Sequence, residues 1–75
     1  MGNLIRFGEN VRRIRRQRGF SQEELAHRTG LHRTYIGGIE RGERNLSLEN
    51  IVALGLGLSC KAEDLFKGLL PREAR

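Results

Sequence analysis

The chain has 75 residues and one cysteine, which bounds it to a single domain with one modest core and no disulfide to staple it. Fourteen Lys and Arg against nine Asp and Glu leave a net charge of +5, and twelve of those fourteen are arginine. The balance points to a polyanionic partner, the absence of a long apolar run argues against a membrane span, and the lone thiol suits a reducing, cytoplasmic setting. The amino terminus has no signal-peptide h-region, and Arg6 stands where a myristoylation motif needs Ser or Thr.

The first predicted helix carries Leu4, Phe7, Val11 and Ile14 at spacings of three and four, and Gly19 suits a left-handed stop after Arg18. Arg12, Arg13, Arg15, Arg16 and Arg18 crowd its second half, a run that reads equally as a solvated face or as an anion-binding one. Ser21 then opens a second helix as cap, Glu24 completes the capping box, and Phe20 and Leu25 hold the staple positions. Leu25 and Ala26 face inward, and Gly30 breaks the helix. A third helix runs from about His32 to Arg41 and ends at Gly42.

The same start grammar recurs at Ser47, with Leu46 and Ile51 as the staple. Leu48, Ile51, Leu54 and Leu58 form the predicted inward stripe of helix four. A last helix is expected from about Lys61 to Leu69, with Leu65 and Phe66 inward, before Pro71 and a charged tail. The expected fold is all-α, a compact five-helix domain over residues 1–75 with its core at about 4–69 and a short tail at 70–75. Helices two and three, joined tightly at Gly30, read as a helix-turn-helix, the arrangement that places one helix in a DNA major groove.

Helical geometry sorts the third helix. At about 100° per residue, Ile36, Ile39 and Glu40 share the core side, so Thr34, Gly37, Gly38 and Arg41 face outward with Arg33 and Tyr35 on the flanks. Arg33, near the amino end, has the fork that matches the O6 and N7 of guanine. Thr34 suits a thymine methyl or a base edge, and Tyr35 either touches DNA through its hydroxyl or packs on the flank. Two adjacent glycines at 37 and 38 suggest a close approach of backbone to base edges, or a tight helix crossing. Gln22 stands in the first turn of helix two, where free amides favour a phosphate, and Arg41, Arg44, Asn45 and Ser47 are further phosphate candidates around the loop before helix four. Asn45 reads equally as a loop cap.

The motifs SQEELA, Gly30, YIGGIERG and SLENI resemble the lambda/434-repressor-type (XRE-like) helix-turn-helix family over about Phe7 to Phe66. Within that family, GLHRTYIGGIERGERN is most similar to controller proteins of restriction–modification systems. The resemblance implies a homodimeric, sequence-specific transcription regulator on a two-fold symmetric operator, with the residues matching Arg33, Thr34 and Tyr35 at the DNA. It implies a structural ion pair between Arg15 and Glu40, and phosphate contact by the residue matching Gln22. A contact with RNA polymerase is compatible with that class, and no residue pattern assigns one. Phage-type repressors and antitoxin-type autoregulators share the fold, and a protein-interaction module is the remaining alternative.

Departures from the family pattern carry their own expectations. His32 replaces the usual Ser or Thr at the start of helix three and should cap less well. Lys61 replaces a Ser cap, so helix five should fray or borrow stability from a partner. Cys60 matches a buried position and reads as an inert thiol. Leu46, Val52, Phe66, Leu69 and Leu70 exceed what one small core can hide; together with Gly55 they form the predicted dimer interface, a monomer with scattered surface apolars being the alternative. No catalytic constellation, metal-ligand spacing or cofactor fingerprint is present, so no enzyme, metal or cofactor is expected.

Overall fold

A computed structural model describes residues 2–70, and the predicted tail beyond Leu70 lies outside them. Five helices follow in chain order: α1 (Asn3–Gln17), α2 (Gln22–Thr29), α3 (Arg33–Glu40), α4 (Leu48–Leu58) and α5 (Ala62–Leu65). Among the described residues there is no strand. The starts obey the capping rules: the Ser21 hydroxyl accepts from the Glu24 amide at 3.0 Å while the Glu24 carboxylate accepts from the Ser21 amide at 2.9 Å. Ser47 caps α4 in the same way, accepting from the Asn50 amide at 3.1 Å. Gly19, Gly30 and Gly42 all have φ near +76°, so each helix before them ends in a left-handed residue that only glycine adopts cheaply.

One core joins all five helices. Phe7, Val11 and Ile14 of α1 meet Leu25 of α2, Ile36 and Ile39 of α3, Leu54 and Leu58 of α4, and Leu65 of α5. Burying a side chain of this size contributes about 1.5–3 kcal/mol, so this cluster supplies the main driving force. Two glycines bring backbones together. A Cβ on Gly8 would run into the Ile39 carbonyl and stand 2.7 Å from that of Glu40, so α1 lies directly on α3. A Cβ on Gly57 would lie 2.6 Å from Thr29 Cγ2, which sets α4 against α2.

Polar ties then lock the ends. Asn10 is buried, and its amide donates to the Leu65 and Lys67 carbonyls at 2.8 Å each, pinning the α5 segment to α1. Arg18 Nε donates to the Leu58 carbonyl at 2.8 Å, Arg18 Nη2 to that of Ser59 at 2.9 Å, and Arg28 Nε to that of Gly57 at 2.8 Å. Two guanidiniums therefore satisfy the last carbonyls of α4, where positive charge also complements the helix dipole. Part of the arginine run is thus architectural.

Several expectations are corrected. Leu48 is 75% exposed, because the core side of α4 is taken by Leu54 and Leu58 while Leu48 continues an outward row with Val52 and Leu56. Leu4 lies at the rim of the core, 37% exposed. The last helix is a single turn, Ala62–Leu65, in place of the predicted nine residues, since Phe66 leaves helical geometry and Gly68 is left-handed. Phe66 is 43% exposed and meets Phe7 edge-on, with ring centroids 5.3 Å apart. Gly55 is buried within its own chain, where a Cβ would stand 3.3 Å from the Cys60 carbonyl, so it does not belong to an outer surface. Asp64 restores half a capping box for α5 by accepting from the Lys61 amide at 3.0 Å.

Candidate nucleic-acid interface

Helices α2 and α3 are joined by only three residues, Gly30 to His32, which fixes their mutual angle tightly. Gln22, Arg33, Thr34, Gly37 and Arg41 line a shallow cleft of about 220 Å³ on the outer side of this pair. Arg33 and Thr34 are exposed, and among the described residues neither side chain makes a hydrogen bond or ion pair. His32 caps α3: its Nδ1 accepts from the Thr34 amide at 3.0 Å, the role a Ser or Thr oxygen would play.

Behind the cleft, Glu40 is a buried hub. Arg15 Nε donates to its Oε2 at 2.6 Å and Arg15 Nη2 to its Oε1 at 3.1 Å, a bidentate fork. Arg15 Nη1 also donates to the Phe20 carbonyl at 2.8 Å, so one side chain ties α1, the start of α2 and α3 together. Gln22 Nε2 donates to Glu40 Oε1 at 3.0 Å. That bond uses one N–H of the Gln22 side-chain amide and orients it in the cleft wall, leaving the second N–H and Oε1 without a partner among the described residues. Arg12, which the motif reading passed over, has its Nε 3.6 Å from the same Oε1.

The two glycines of α3 lie beneath arginine side chains. Both are buried, although Gly37 contributes to the lining of the cleft. A Cβ on Gly37 would stand 3.1 Å from Arg41 Nη1, and one on Gly38 only 2.8 Å from Arg44 Cγ. Arginines lie over both, so what faces outward at 37 and 38 is largely guanidinium and its stem. Arg41 also pairs with Glu43, Nε to Oε2 at 3.1 Å. Arg44 stands above the Tyr35 ring, 6.0 Å from its centroid.

Tyr35 resolves towards the flank. Its hydroxyl donates to the Asn45 carbonyl at 2.9 Å and accepts from Asn50 Nδ2 at 3.0 Å, joining α3, the loop and α4. That hydroxyl has no further proton to donate. Asn45 and Ser47 are exposed beside it, with the Ser47 hydroxyl committed to capping α4. The predicted dimer residues Val52, Phe66 and Leu70 are 48%, 43% and 71% exposed, while Leu46 and Leu69 are half-buried and share an apolar groove with Leu4, Phe7, Ile51 and Phe66. Leu48 and Leu56, each 75% exposed, are not among the predicted dimer residues and extend the exposed apolar row beside Val52. Their spacing of four around Val52 was the available signal.

The order of elements, the tight α2–α3 turn and the free Arg33–Thr34 edge define a helix-turn-helix, and residues 11–65 match the family model described as Helix-turn-helix. The chain belongs to the helix-turn-helix family. Its relatives include the control protein C.BamHI of Bacillus amyloliquefaciens, 50% identical over 68 residues that cover 87% of this chain and 84% of that one. Control protein C.SmaI of Serratia marcescens is 47% identical over 57 residues, 76% of this chain and 68% of that one. Among solved structures, the restriction-modification controller protein C.AhdI from Aeromonas hydrophila superposes with a TM-score of 0.82 at 48% identity, covering 84% of this chain and 96% of that one. The helix-turn-helix fold inferred from sequence is thus the fold observed. Among the described residues no helix is long and apolar enough to cross a membrane, and no His/Cys/Asp/Glu group could hold a metal ion.

Proposed function

We propose that this protein is a transcription regulator that binds double-stranded DNA as a homodimer on a two-fold symmetric operator, as a controller of a restriction–modification system. The observation that carries the reading is the free, exposed Arg33–Thr34 edge of α3, set in a cleft between Gln22 and Arg41 and held by the Arg15–Glu40 pair. Arg33 reads a guanine, and Thr34 meets the neighbouring base. Arg41, Arg44 and Asn45 anchor the backbone, with Gln22 and Ser47 at helix starts whose amides suit phosphates. Tyr35 acts by holding the Asn45 loop in place. Relatives that are control proteins support the regulatory assignment. The reading involves no catalytic step, and it places the protein with the chromosome in the cytoplasm, where regulation acts through access or contact of RNA polymerase.

The test is selection of bound duplexes from a random double-stranded library at near-physiological salt. The expected result is a palindromic site with half-sites about one helical turn apart. Arg33→Ala should relax the preference at one base pair per half-site, by about 1–3 kcal/mol of discrimination. Recovery of no preferred sequence by the wild type would overturn the proposal.

A further inference from the structure

Glu40 has more cation around it than it can use. Its two oxygens accept from Arg15 twice and from Gln22 once, at 2.6, 3.1 and 3.0 Å. Its side chain is 1% exposed, so the buried carboxylate is already neutralised and bonded. Arg12 approaches with Nε at 3.6 Å from Oε1, beyond hydrogen-bond length, and its own side chain is 50% exposed. Two guanidiniums against one carboxylate leave a local charge of +2 − 1 = +1. Among the described residues none of the five N–H donors of Arg12 makes a hydrogen bond, whereas Arg15 spends Nε, Nη1 and Nη2.

Position makes that surplus meaningful. Gly8 seats α1 on the backbone of Ile39 and Glu40, and Arg12 follows one turn later. Arg12 thereby stands beside Glu40, whose other neighbour Gln22 lines the Arg33–Thr34 cleft. We infer that Arg12 is a DNA-phosphate contact, through which α1 extends the interface beyond α2 and α3. This inference rests on the DNA-binding reading above. A phosphate oxygen supplies the acceptor that Glu40 does not, and the nearby carboxylate keeps the guanidinium oriented before DNA arrives. The contact is sequence-independent and sets affinity and salt dependence only.

The test is a salt titration of binding, using the duplex recovered by selection from the wild-type chain and a random-sequence duplex of equal length. Arg12→Ala is expected to make the slope of log K against log[salt] shallower by about 0.9 per subunit, with the base preference and melting temperature unchanged. Arg12→Lys is expected to restore the slope. Lys67→Ala, which removes the same charge from the α1–α5 side beside Cys60 and Asp64, is expected to leave it nearly unchanged. An unaltered slope in Arg12→Ala, an equal change in Lys67→Ala, or a fall in melting temperature matching that of Arg15→Ala overturns the assignment while the DNA-binding reading stands. Absence of any wild-type binding removes both.

Discussion

Arg15 grips Glu40 through two parallel hydrogen bonds of 2.6 and 3.1 Å, and both side chains are buried. The pair fixes α1 to α3 and, through the Phe20 carbonyl, to the entrance of α2. Removing Arg15 leaves the buried Glu40 carboxylate with only the Gln22 amide and the more distant Arg12, a cost of up to about 3–5 kcal/mol. Arg15→Ala should therefore shift urea unfolding strongly and weaken DNA binding through loss of fold. A stability loss below about 1 kcal/mol would show that Arg12 or water takes over at Glu40 and that the Arg15 pair is not what holds α3.

Gly8→Ala sets two effects against each other. Alanine improves helix propensity by about 1 kcal/mol. Its Cβ, however, would collide with backbone carbonyls of Ile39 and Glu40, which cannot rotate aside as a side chain would. Overpacking of this kind costs about 1–3 kcal/mol or more, so a net loss in unfolding free energy is expected.

The proposed dimer makes α4 the place to break it. Val52 and Leu56 are 48% and 75% exposed, so charges there leave the monomer core intact. Val52→Asp combined with Leu56→Asp should give a monomer by sedimentation equilibrium, with unchanged helix content and binding weakened to that of a single half-site. A dimer that survives both changes would move the interface to the Phe66–Leu70 surface.

Burial pushes the Cys60 thiol up from its ordinary value of 9.0, Asp64 adds to the shift, and Arg18 opposes it. The folded state thus resists forming the thiolate. The sign follows: a raised pKa contributes stability that is present below the unfolded value and is lost as pH rises past it. Stability should therefore decline above about pH 9 less steeply in Cys60→Ser than in the wild type. Alkylation at pH 8 should be slower in the native chain than in urea, and equal rates would contradict the burial.

The helices, their starts and most of the core were legible in the sequence because their causes are local. Ser21 with Glu24, Ser47 with Asn50, and the left-handed glycines at 19, 30 and 42 act over one turn of chain. Ile36, Ile39 and Glu40 fall on one side of α3 by spacing alone, and so do Phe7, Val11 and Ile14 in α1. The short last helix was over-extended because apolar periodicity past Leu65 carries no sign of where backbone geometry stops. What only the tertiary structure decided were pairings between residues far apart in sequence. Arg18 of the α1 run and Arg28 of α2 bind α4 carbonyls, while Arg12 is left with none of its donors in a hydrogen bond among the described residues. Arginines have the same fork wherever they stand; which acceptor each meets depends on how Gly8 and Gly57 let the helices cross. Leu48 likewise matched the inward spacing yet lies outside, since the side of α4 that faces the core is set by α2 and α5 packing against it, not by α4 itself.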